Sequence, residues 1–195
     1  MRFRTLHYKT LDSTNNLAIH FAREGASEGT VIVSEYQTHG RGRFNRRWSS
    51  PRGKNLLFSI LLRPNLKSSS ASILTHVAAQ SVADVLKQKF NLPVKLKRPN
   101  DVLVGGKKIA GILTESSAYY HRVVYVAVGI GLNVNTSCKE LPRTATSIYA
   151  ETNQKAEKTK ILDEILEVFK MKYQRLNGKV VAPRKHEKRD CFQHV

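Results

Sequence analysis

The sequence is poor in cysteine and contains no long apolar run. Among its 195 residues, Cys138 and Cys191 are too few for a disulfide framework and are not spaced as metal ligands. No apolar run approaches the length that spans a bilayer, and the N-terminus lacks the apolar core of a signal peptide. We therefore expect a cytoplasmic protein with no disulfide framework and no membrane partner.

Common nucleotide- and metal-binding motifs are also missing. Gly106-Lys107 lacks the glycine five positions earlier that a Walker A motif requires. A third glycine, which the dinucleotide fingerprint needs, follows neither Gly40-Arg41-Gly42 nor Gly129-Ile130-Gly131. The histidines are scattered and no HExxH segment occurs, so a histidine-based metal centre is not predicted.

Acidic residues are scarce, and the net charge of +18 comes from 33 Lys and Arg against 15 Asp and Glu. No acidic residue lies between Glu35 and Asp84. This imbalance predicts an anionic partner, which could be nucleic acid, an acidic protein or a phosphorylated ligand. Basic residues of the acid-free segment are Arg41, Arg43, Arg46, Arg47, Arg52, Lys54, Arg63 and Lys67, and a second cluster contains Lys95, Lys97, Arg98, Lys107 and Lys108.

Hydrophobic patterns predict an α+β fold, a two-layer mixed β-sheet with helices packed on it. We expect one domain over residues 1–177 and, over residues 178–195, a short basic tail that is not a separate domain. Long loops are expected over 37–54 and 136–157. Strands are predicted over 3–8, 30–36, 55–63, 94–97, 101–104, 107–114 and 123–132, with helices after Asp12-Ser13-Thr14 and around 73–86 and 161–169.

Two segments carry the residue types of an anion site. In Gly40–Trp48, which we call the Arg loop, glycines permit close backbone approach, arginines match carboxylate and phosphate, and Trp48 can stack on a heterocycle. In Lys97–Asp101, a proline turn presents a lysine beside oxygens suited to Mg²⁺. The alternatives are a basic loop that touches nucleic-acid backbone and an ordinary turn.

Three further segments are weaker signals. Gly111, inside the strand of Lys108–Glu115, indicates close approach of a ligand or another backbone, although a plain buried strand also fits. Val128–Asn135 ends an apolar strand with two glycines and with an amide that can read a purine edge, although strand packing followed by a turn also fits. Asp12–Asn15 is, taken alone, a helix cap.

In order and content the five segments resemble the biotin protein ligases, also called biotin–[acetyl-CoA-carboxylase] ligases. That family carries Ser-Thr-Asn, then Gln before a GRGRxxRxW loop, Lys-Trp-Pro-Asn-Asp, Lys-x-x-Gly-Ile-Leu-x-Glu and Gly-x-Gly-x-Asn. The matching residues are Ser13-Thr14-Asn15, Gln37 and the segments 40–48, 97–101, 108–115 and 129–133. The resemblance covers about residues 5–176, and the Arg loop is its most specific part.

The resemblance implies a fold like that of the class II aminoacyl-tRNA synthetases and biotin synthetases. It also implies two half-reactions. In the first, biotin and ATP react with Mg²⁺ present to give biotinyl-5′-AMP. In the second, biotin is transferred to a lysine of an acidic acceptor, the biotin carboxyl carrier domain of acetyl-CoA carboxylase. We expect a short form with the catalytic domain only, without a DNA-binding helix-turn-helix domain or a C-terminal barrel. It is expected to be a monomer or homodimer without specific DNA binding.

The resemblance also implies a role for each matching residue. Lys97 and Arg43 are the expected catalytic residues, with Lys97 bridging the biotin carboxylate and the phosphoryl oxygen. No protein-held metal is certain; Mg²⁺ is expected on the ATP phosphates, with Asp101 as a candidate ligand. Biotin is expected at Ser13, Thr14, Asn15, Gln37, Arg41, Gly42, Arg43, Lys97 and Gly111, and the nucleotide at Arg46, Trp48, Asn100 and Asn133.

Two positions depart from the family pattern, and two other functions stay open. Arg98 replaces the tryptophan of the Lys-Trp-Pro-Asn-Asp turn, and Asn45 stands where glycine is common. One alternative is a lipoate or octanoate ligase or transferase, against which the Arg-Gly-Arg loop argues. The other is a basic nucleic-acid-binding module, which leaves the Lys97 turn and the Gly129 strand end unexplained.

Overall fold

A seven-stranded mixed sheet organises residues 1–181, the part of the chain that the computed structural model describes. The strand order is β1-β2-β3-β7-β6-β5-β4, with β1 parallel to β2 and the other neighbours antiparallel. All seven predicted strands are confirmed, and β6 is longer than expected. The strands are β1 (Arg4–Tyr8), β2 (Thr30–Ser34), β3 (Leu56–Leu62), β4 (Val94–Lys97), β5 (Asp101–Val104), β6 (Lys107–Tyr119) and β7 (Arg122–Leu132).

Four α-helices accompany the sheet within these residues: α1 (Thr14–Arg23), α2 (Ile73–Phe90), α3 (Ile148–Thr152) and α4 (Lys158–Val181). The helix α3 was not predicted, because a five-residue helix is too short to show periodicity. The predicted boundary at residue 177 falls inside α4, and residues 182–195 of the predicted tail lie outside the described residues. None of the described helices is long and apolar enough to cross a membrane.

Helices cover both faces of the sheet. The large core lies between the sheet and α2 and α4, and it includes the fully buried Phe58 and Phe169. On the opposite face, Ala18 of α1 packs against Ile32 and Ala127. Successive side chains of a strand point to opposite faces, so Gly129 and Gly131 of β7 lie on the same face as Ala127, the face that α1 covers. The mixed sheet with packed helices is therefore as predicted, with α1 as an additional layer.

Near the N-terminal end of α1, the same face of the sheet carries three glycines. Gly111 of β6 lies opposite Gly131 of β7, and Gly129 pairs with Leu113 on one side and with Ser59 on the other. With no side chains at these positions, the sheet surface is lowered into a shallow basin. Segments from before and after α1 close over this basin.

The β6–β7 hairpin ends in an exposed turn. Tyr120 and His121 have positive φ angles of 43° and 64°. Tyr119 and Tyr120 pack edge to face with ring centroids 4.4 Å apart, and both rings are exposed.

Candidate active site

The space above the glycines of the basin is filled by two side chains from elsewhere in the sequence, Trp48 and Asn15. A Cβ atom at Gly131 would lie 2.5 Å from Trp48 Cε2, and one at Gly129 would lie 2.4 Å from Asn15 Oδ1. At Gly111 a Cβ would lie 3.0 Å from Lys108 Cε and 3.1 Å from Trp48 Cζ3. Gly111 was predicted to allow close approach of a ligand or another backbone, and its neighbours in the structure are side chains instead. The glycines let Trp48 and Asn15 lie directly on the sheet.

The Arg loop is a narrow hairpin. Trp48 N donates to Gly40 O at 2.9 Å, and Gly42 N donates to Arg46 O at 2.7 Å. Its tip is Phe44, which has a φ of 55° and is 81% exposed. The left-handed residue is therefore Phe44, which directly precedes Asn45, the position where glycine is common in the family.

The loop, α1, the β4–β5 turn and the glycine basin enclose a cavity of about 340 Å³. Thirteen of the fourteen residues that the resemblance singled out line it. Among the lining side chains, seven are basic and Asp101 is the one acid. The cavity therefore favours an anionic ligand. The predicted residues at the cavity are Ser13, Thr14, Asn15, Gln37, Arg41, Gly42, Arg43, Arg46, Trp48, Lys97, Asn100, Asp101 and Gly111.

Asn133 is the predicted residue that the structure does not bring to the cavity. It is 5% exposed; its Nδ2 donates to Thr146 O at 2.9 Å, and its Oδ1 accepts from Asn55 Nδ2 at 3.3 Å. These bonds tie the end of β7 to the segment before α3. The amide is thus used within the protein, and the expected contact of this side chain with the nucleotide stays a prediction.

A chain of hydrogen bonds runs beneath the cavity from Gln37 to Asn15. Gln37 Oε1 accepts from Thr14 N at 2.6 Å and from Thr14 Oγ1 at 3.0 Å. Ser59, fully buried in β3, lies 2.8 Å from Thr14 Oγ1 and 2.6 Å from Asn15 Oδ1, and its single proton serves one of the two. Sequence reasoning missed Ser59, although a serine inside the apolar run of β3 was the available signal.

The side chain of Asn15 is fully engaged. Its Nδ2 donates to Leu113 O at 3.1 Å and to Glu115 Oε2 at 2.8 Å, while its Oδ1 faces Ser59. The same Glu115 oxygen accepts from Arg41 Nη2 at 2.6 Å. Asn15 therefore fixes the start of α1 to β3 and β6, and Glu115 is a second residue that sequence reasoning did not assign to the site.

Lys108 connects the two sides of the cavity and was also missed. Its Nζ lies 2.7 Å from Asp101 Oδ1 and 5.5 Å from the centroid of the Trp48 ring. Within residues 1–181, Trp48 Nε1 is the buried side-chain polar atom that has no hydrogen-bond partner. Lys108 thus holds the indole against the sheet through a cation–π contact.

The contacts of Asp101 do not support it as a magnesium ligand. Its carboxylate is paired with an ammonium group, and the described residues contain no group of three or more His, Cys, Asp or Glu side chains that could hold a metal ion. Any magnesium at this cavity has to bring most of its oxygen ligands with it, as the phosphates of ATP and water do.

The β4–β5 turn forms the far wall. Asn100 Nδ2 donates to Ile112 O at 2.9 Å, and Ile112 N donates to Asn100 O at 3.0 Å, so the turn is fastened to β6. Lys97 and Arg98 are exposed at the cavity edge. The departure at Arg98 therefore adds a cation to this wall in place of an aromatic ring.

Comparisons with known proteins agree on one family. A sequence model of the biotin/lipoate A/B protein ligase family matches residues 8–134. The chain is 36% identical over 172 residues to the bifunctional ligase/repressor BirA of Bacillus subtilis, covering 86% of this chain and 53% of that protein. It is 36% identical over 165 residues to the biotin–[acetyl-CoA-carboxylase] ligase of Paracoccus denitrificans, covering 81% of this chain and 68% of that protein.

A solved structure extends the likeness to three dimensions. The biotin protein ligase from Aquifex aeolicus in complex with biotin and ATP superimposes with a TM-score of 0.75 at 32% identity, covering 90% of this chain and 72% of that one. The expected fold, like that of class II aminoacyl-tRNA synthetases and biotin synthetases, is confirmed by this likeness. The chain spans about half the length (53%) of the Bacillus relative.

Proposed function

The chain belongs to the biotin/lipoate A/B protein ligase family, and we propose that it is an ATP-dependent biotin protein ligase. In this proposal it forms biotinyl-5′-AMP from biotin and ATP in the cytoplasm, and it then transfers biotin to a lysine of the biotin carboxyl carrier domain of acetyl-CoA carboxylase. The observation that carries the proposal is the cavity, which gathers the Ser-Thr-Asn segment, the Arg loop and Lys97 under a strong excess of basic side chains.

The charge of the cavity suits the first half-reaction. A biotin carboxylate oxygen attacks the α-phosphorus of ATP, and the bond to pyrophosphate breaks, so two anions have to meet. Fixed cations that need no reorganisation lower the free energy of the charge that develops at phosphorus. We assign this work to Lys97 and Arg43, which line the cavity on its two sides, while Mg²⁺ enters as part of the ATP substrate.

The polar end of the cavity is assigned to the biotin ring. Ser13 is buried at this end, with 2% of its surface exposed. The Oε1 of Gln37 already accepts two hydrogen bonds from Thr14, so the Nε2 of Gln37 remains as a donor toward a ligand carbonyl. Thr14 orients this group through its two bonds, and Gly40 lies beside it, since a Cβ there would be 3.2 Å from Gln37 Nε2. Such a short set of oriented polar groups is typical of small-molecule sites.

The nucleotide is assigned to the aromatic end. Trp48 lies on the glycines of β6 and β7 and offers a stacking surface, and Arg46 and Asn100 line the cavity beside it. In the second half-reaction, the neutral amine of the acceptor lysine attacks the carbonyl of the mixed anhydride. AMP leaves, and the amide nitrogen loses its proton to solvent.

Pyrophosphate exchange tests the first half-reaction. We expect exchange of labelled pyrophosphate into ATP that depends on biotin, and loss of at least ~100-fold of this exchange in Lys97→Ala, because one positioned charge donor supplies about two to three orders of magnitude. The matched control is Lys95→Ala, an exposed lysine of the same strand that does not line the cavity. Equal loss in both variants would contradict the role of Lys97.

The same assay separates the other functions. Exchange that requires lipoate and ignores biotin would transfer the proposal to the lipoyl branch of the family. Absence of exchange with either acid, together with nucleic-acid binding that falls steeply with salt, would refute a ligase. Transfer to the acceptor is tested by mass spectrometry of a carrier domain incubated with biotin and ATP.

A further inference from the structure

Glu115 joins the Arg loop to the floor of the site, and the proposed mechanism gives it no role. One oxygen, Oε2, accepts from Arg41 Nη2 at 2.6 Å and from Asn15 Nδ2 at 2.8 Å. Arg41 belongs to the loop, whereas Asn15 belongs to α1 and is 3% exposed. A single carboxylate thus connects a partly exposed loop to a buried hydrogen-bond network.

The connection matters because the Arg loop is strongly basic and Glu115 supplies it with a negative charge. Four arginines lie within the Arg loop, and no acidic residue follows in the sequence before Asp84, so the loop lacks an acid of its own. The side chains of Arg41 and Glu115 are 40% and 28% exposed, which reduces but does not abolish screening by solvent. Asn15 holds the carboxylate in place from the buried side, so the pair loses less side-chain entropy than two free surface groups would.

We propose that Glu115 is a positioning residue that latches the Arg loop over the bound acyl-adenylate. The inference rests on the proposed function for the identity of the ligand. Glu115 acts through Arg41 and Asn15 and touches no reacting atom. Loss of its charge therefore frees the loop and speeds escape of biotinyl-5′-AMP, while the bond-forming step on bound substrates stays nearly unchanged.

Glu115→Gln is the appropriate variant because it keeps the shape and an acceptor oxygen and removes only the charge. We expect biotinyl-5′-AMP to dissociate about fivefold to tenfold faster, as the difference between a charge-assisted hydrogen bond and the neutral one that glutamine keeps corresponds to roughly that ratio. Single-turnover adenylate formation at saturating biotin and ATP is expected to change less than about twofold. Glu157→Gln, which removes an exposed carboxylate paired with Lys160, is the control for net charge.

A double-mutant cycle with Arg41→Gln identifies the path of the effect. If Glu115 acts through Arg41, then adding Glu115→Gln to Arg41→Gln produces no further acceleration of adenylate release. Additive effects of the two substitutions would overturn the latch, and so would a loss of bond formation with unchanged release. Circular dichroism and thermal unfolding confirm that each variant is folded.

Limited trypsinolysis of the unliganded protein tests the latch without any activity. The loop arginines are the targets, and mass spectrometry locates the first cut. We expect faster cleavage between Arg41 and Arg47 in Glu115→Gln than in the wild type or Glu157→Gln, and equal cleavage would refute the latch. If the wild type forms no biotinyl-5′-AMP, the proposed function fails, whereas the cleavage rates still decide whether Glu115 holds the loop.

Discussion

A methyl group at Gly131 is expected to disable the nucleotide end of the cavity while sparing the fold. In Gly131→Ala the new Cβ would lie 2.5 Å from Trp48 Cε2 and 2.7 Å from Cζ2, roughly 1 Å closer than an ordinary carbon–carbon contact. The backbone of β7 is held on both sides by β3 and β6, so the indole has to move. Overpacking of this kind costs about 1–3 kcal/mol.

The displacement has a direct optical readout, because Trp48 is the single tryptophan of the chain. We expect a red-shifted emission maximum in Gly131→Ala and an ATP affinity lowered by about tenfold, as 1.4 kcal/mol of lost stacking corresponds to that factor. Titration of ATP by calorimetry measures the affinity, and the melting temperature checks the fold.

Gly129→Ala is the natural partner of this variant. It adds the same methyl group to the same strand, but its Cβ would meet Asn15 Oδ1 at 2.4 Å instead of the indole. We expect it to weaken biotin binding and to leave tryptophan emission in place. The reasoning is refuted if the two alanine variants have the same profile, or if Gly131→Ala leaves both emission and ATP affinity unchanged.

Three other substitutions test separate parts of the structure. Lys108→Met removes the cation above the indole, so we expect a shifted tryptophan emission and an ATP KM raised about fivefold to tenfold, with Lys107→Met as the control. Asn133→Ala strands buried polar partners, so urea unfolding should show a loss of about 1–3 kcal/mol. The ATP KM of the folded variant is expected to stay within about twofold, and a large KM change without a loss of stability would support the predicted nucleotide role instead. Hydrogen bonding to Lys54 lowers the pKa of Glu140 from 4.5 to about 2. A carboxylate whose pKa is lowered on folding stabilises the fold above its unfolded pKa, and this stabilisation is lost as the pH falls through its folded pKa. The small difference in melting temperature between wild type and Glu140→Gln should therefore shrink as the pH falls from 4.5 to 2, and it should be constant above pH 4.5.

The strands were predictable because their signals are local. The strands β3 and β7 are apolar runs buried along most of their length, and Gly111 and Gly131 stand inside predicted strands. The Arg loop was equally visible, because its glycines and arginines are consecutive. These local patterns do not indicate which side chain packs above each glycine.

Glu115 and Lys108 show why the rest of the site was out of reach. Glu115 meets Arg41 and Asn15 across 74 and 100 positions of sequence, and no periodicity encodes such a pairing. Strict alternation from Gly111 would place Ile109, not Lys108, on the cavity face. The register of the β5–β6 pair shifts beside these residues, and that irregularity brings Lys108 over the basin.

The hydrogen bonds of Asn133 were out of reach for a different reason. It follows the last residue of β7, where the pleat no longer dictates which way a side chain points. Its amide is then directed by whichever buried carbonyl needs a donor, here that of Thr146. A match to a family motif identified the position correctly but could not supply the direction of its side chain.

The position of β7 has a consequence for how the cavity comes into being. This strand is nearly the last piece of sheet in sequence, yet it lies between β3 and β6 and carries two of the three basin glycines. The loop, α1 and the β4–β5 turn are all synthesised before it, and they have no floor to close on until it inserts. If the chain is cut at the exposed turn of Tyr120 and His121, the N-terminal piece keeps the walls and the C-terminal piece keeps two of the three floor glycines, so neither piece has a complete cavity. Recovery of the tryptophan environment after mixing the halves would therefore report completion of the sheet.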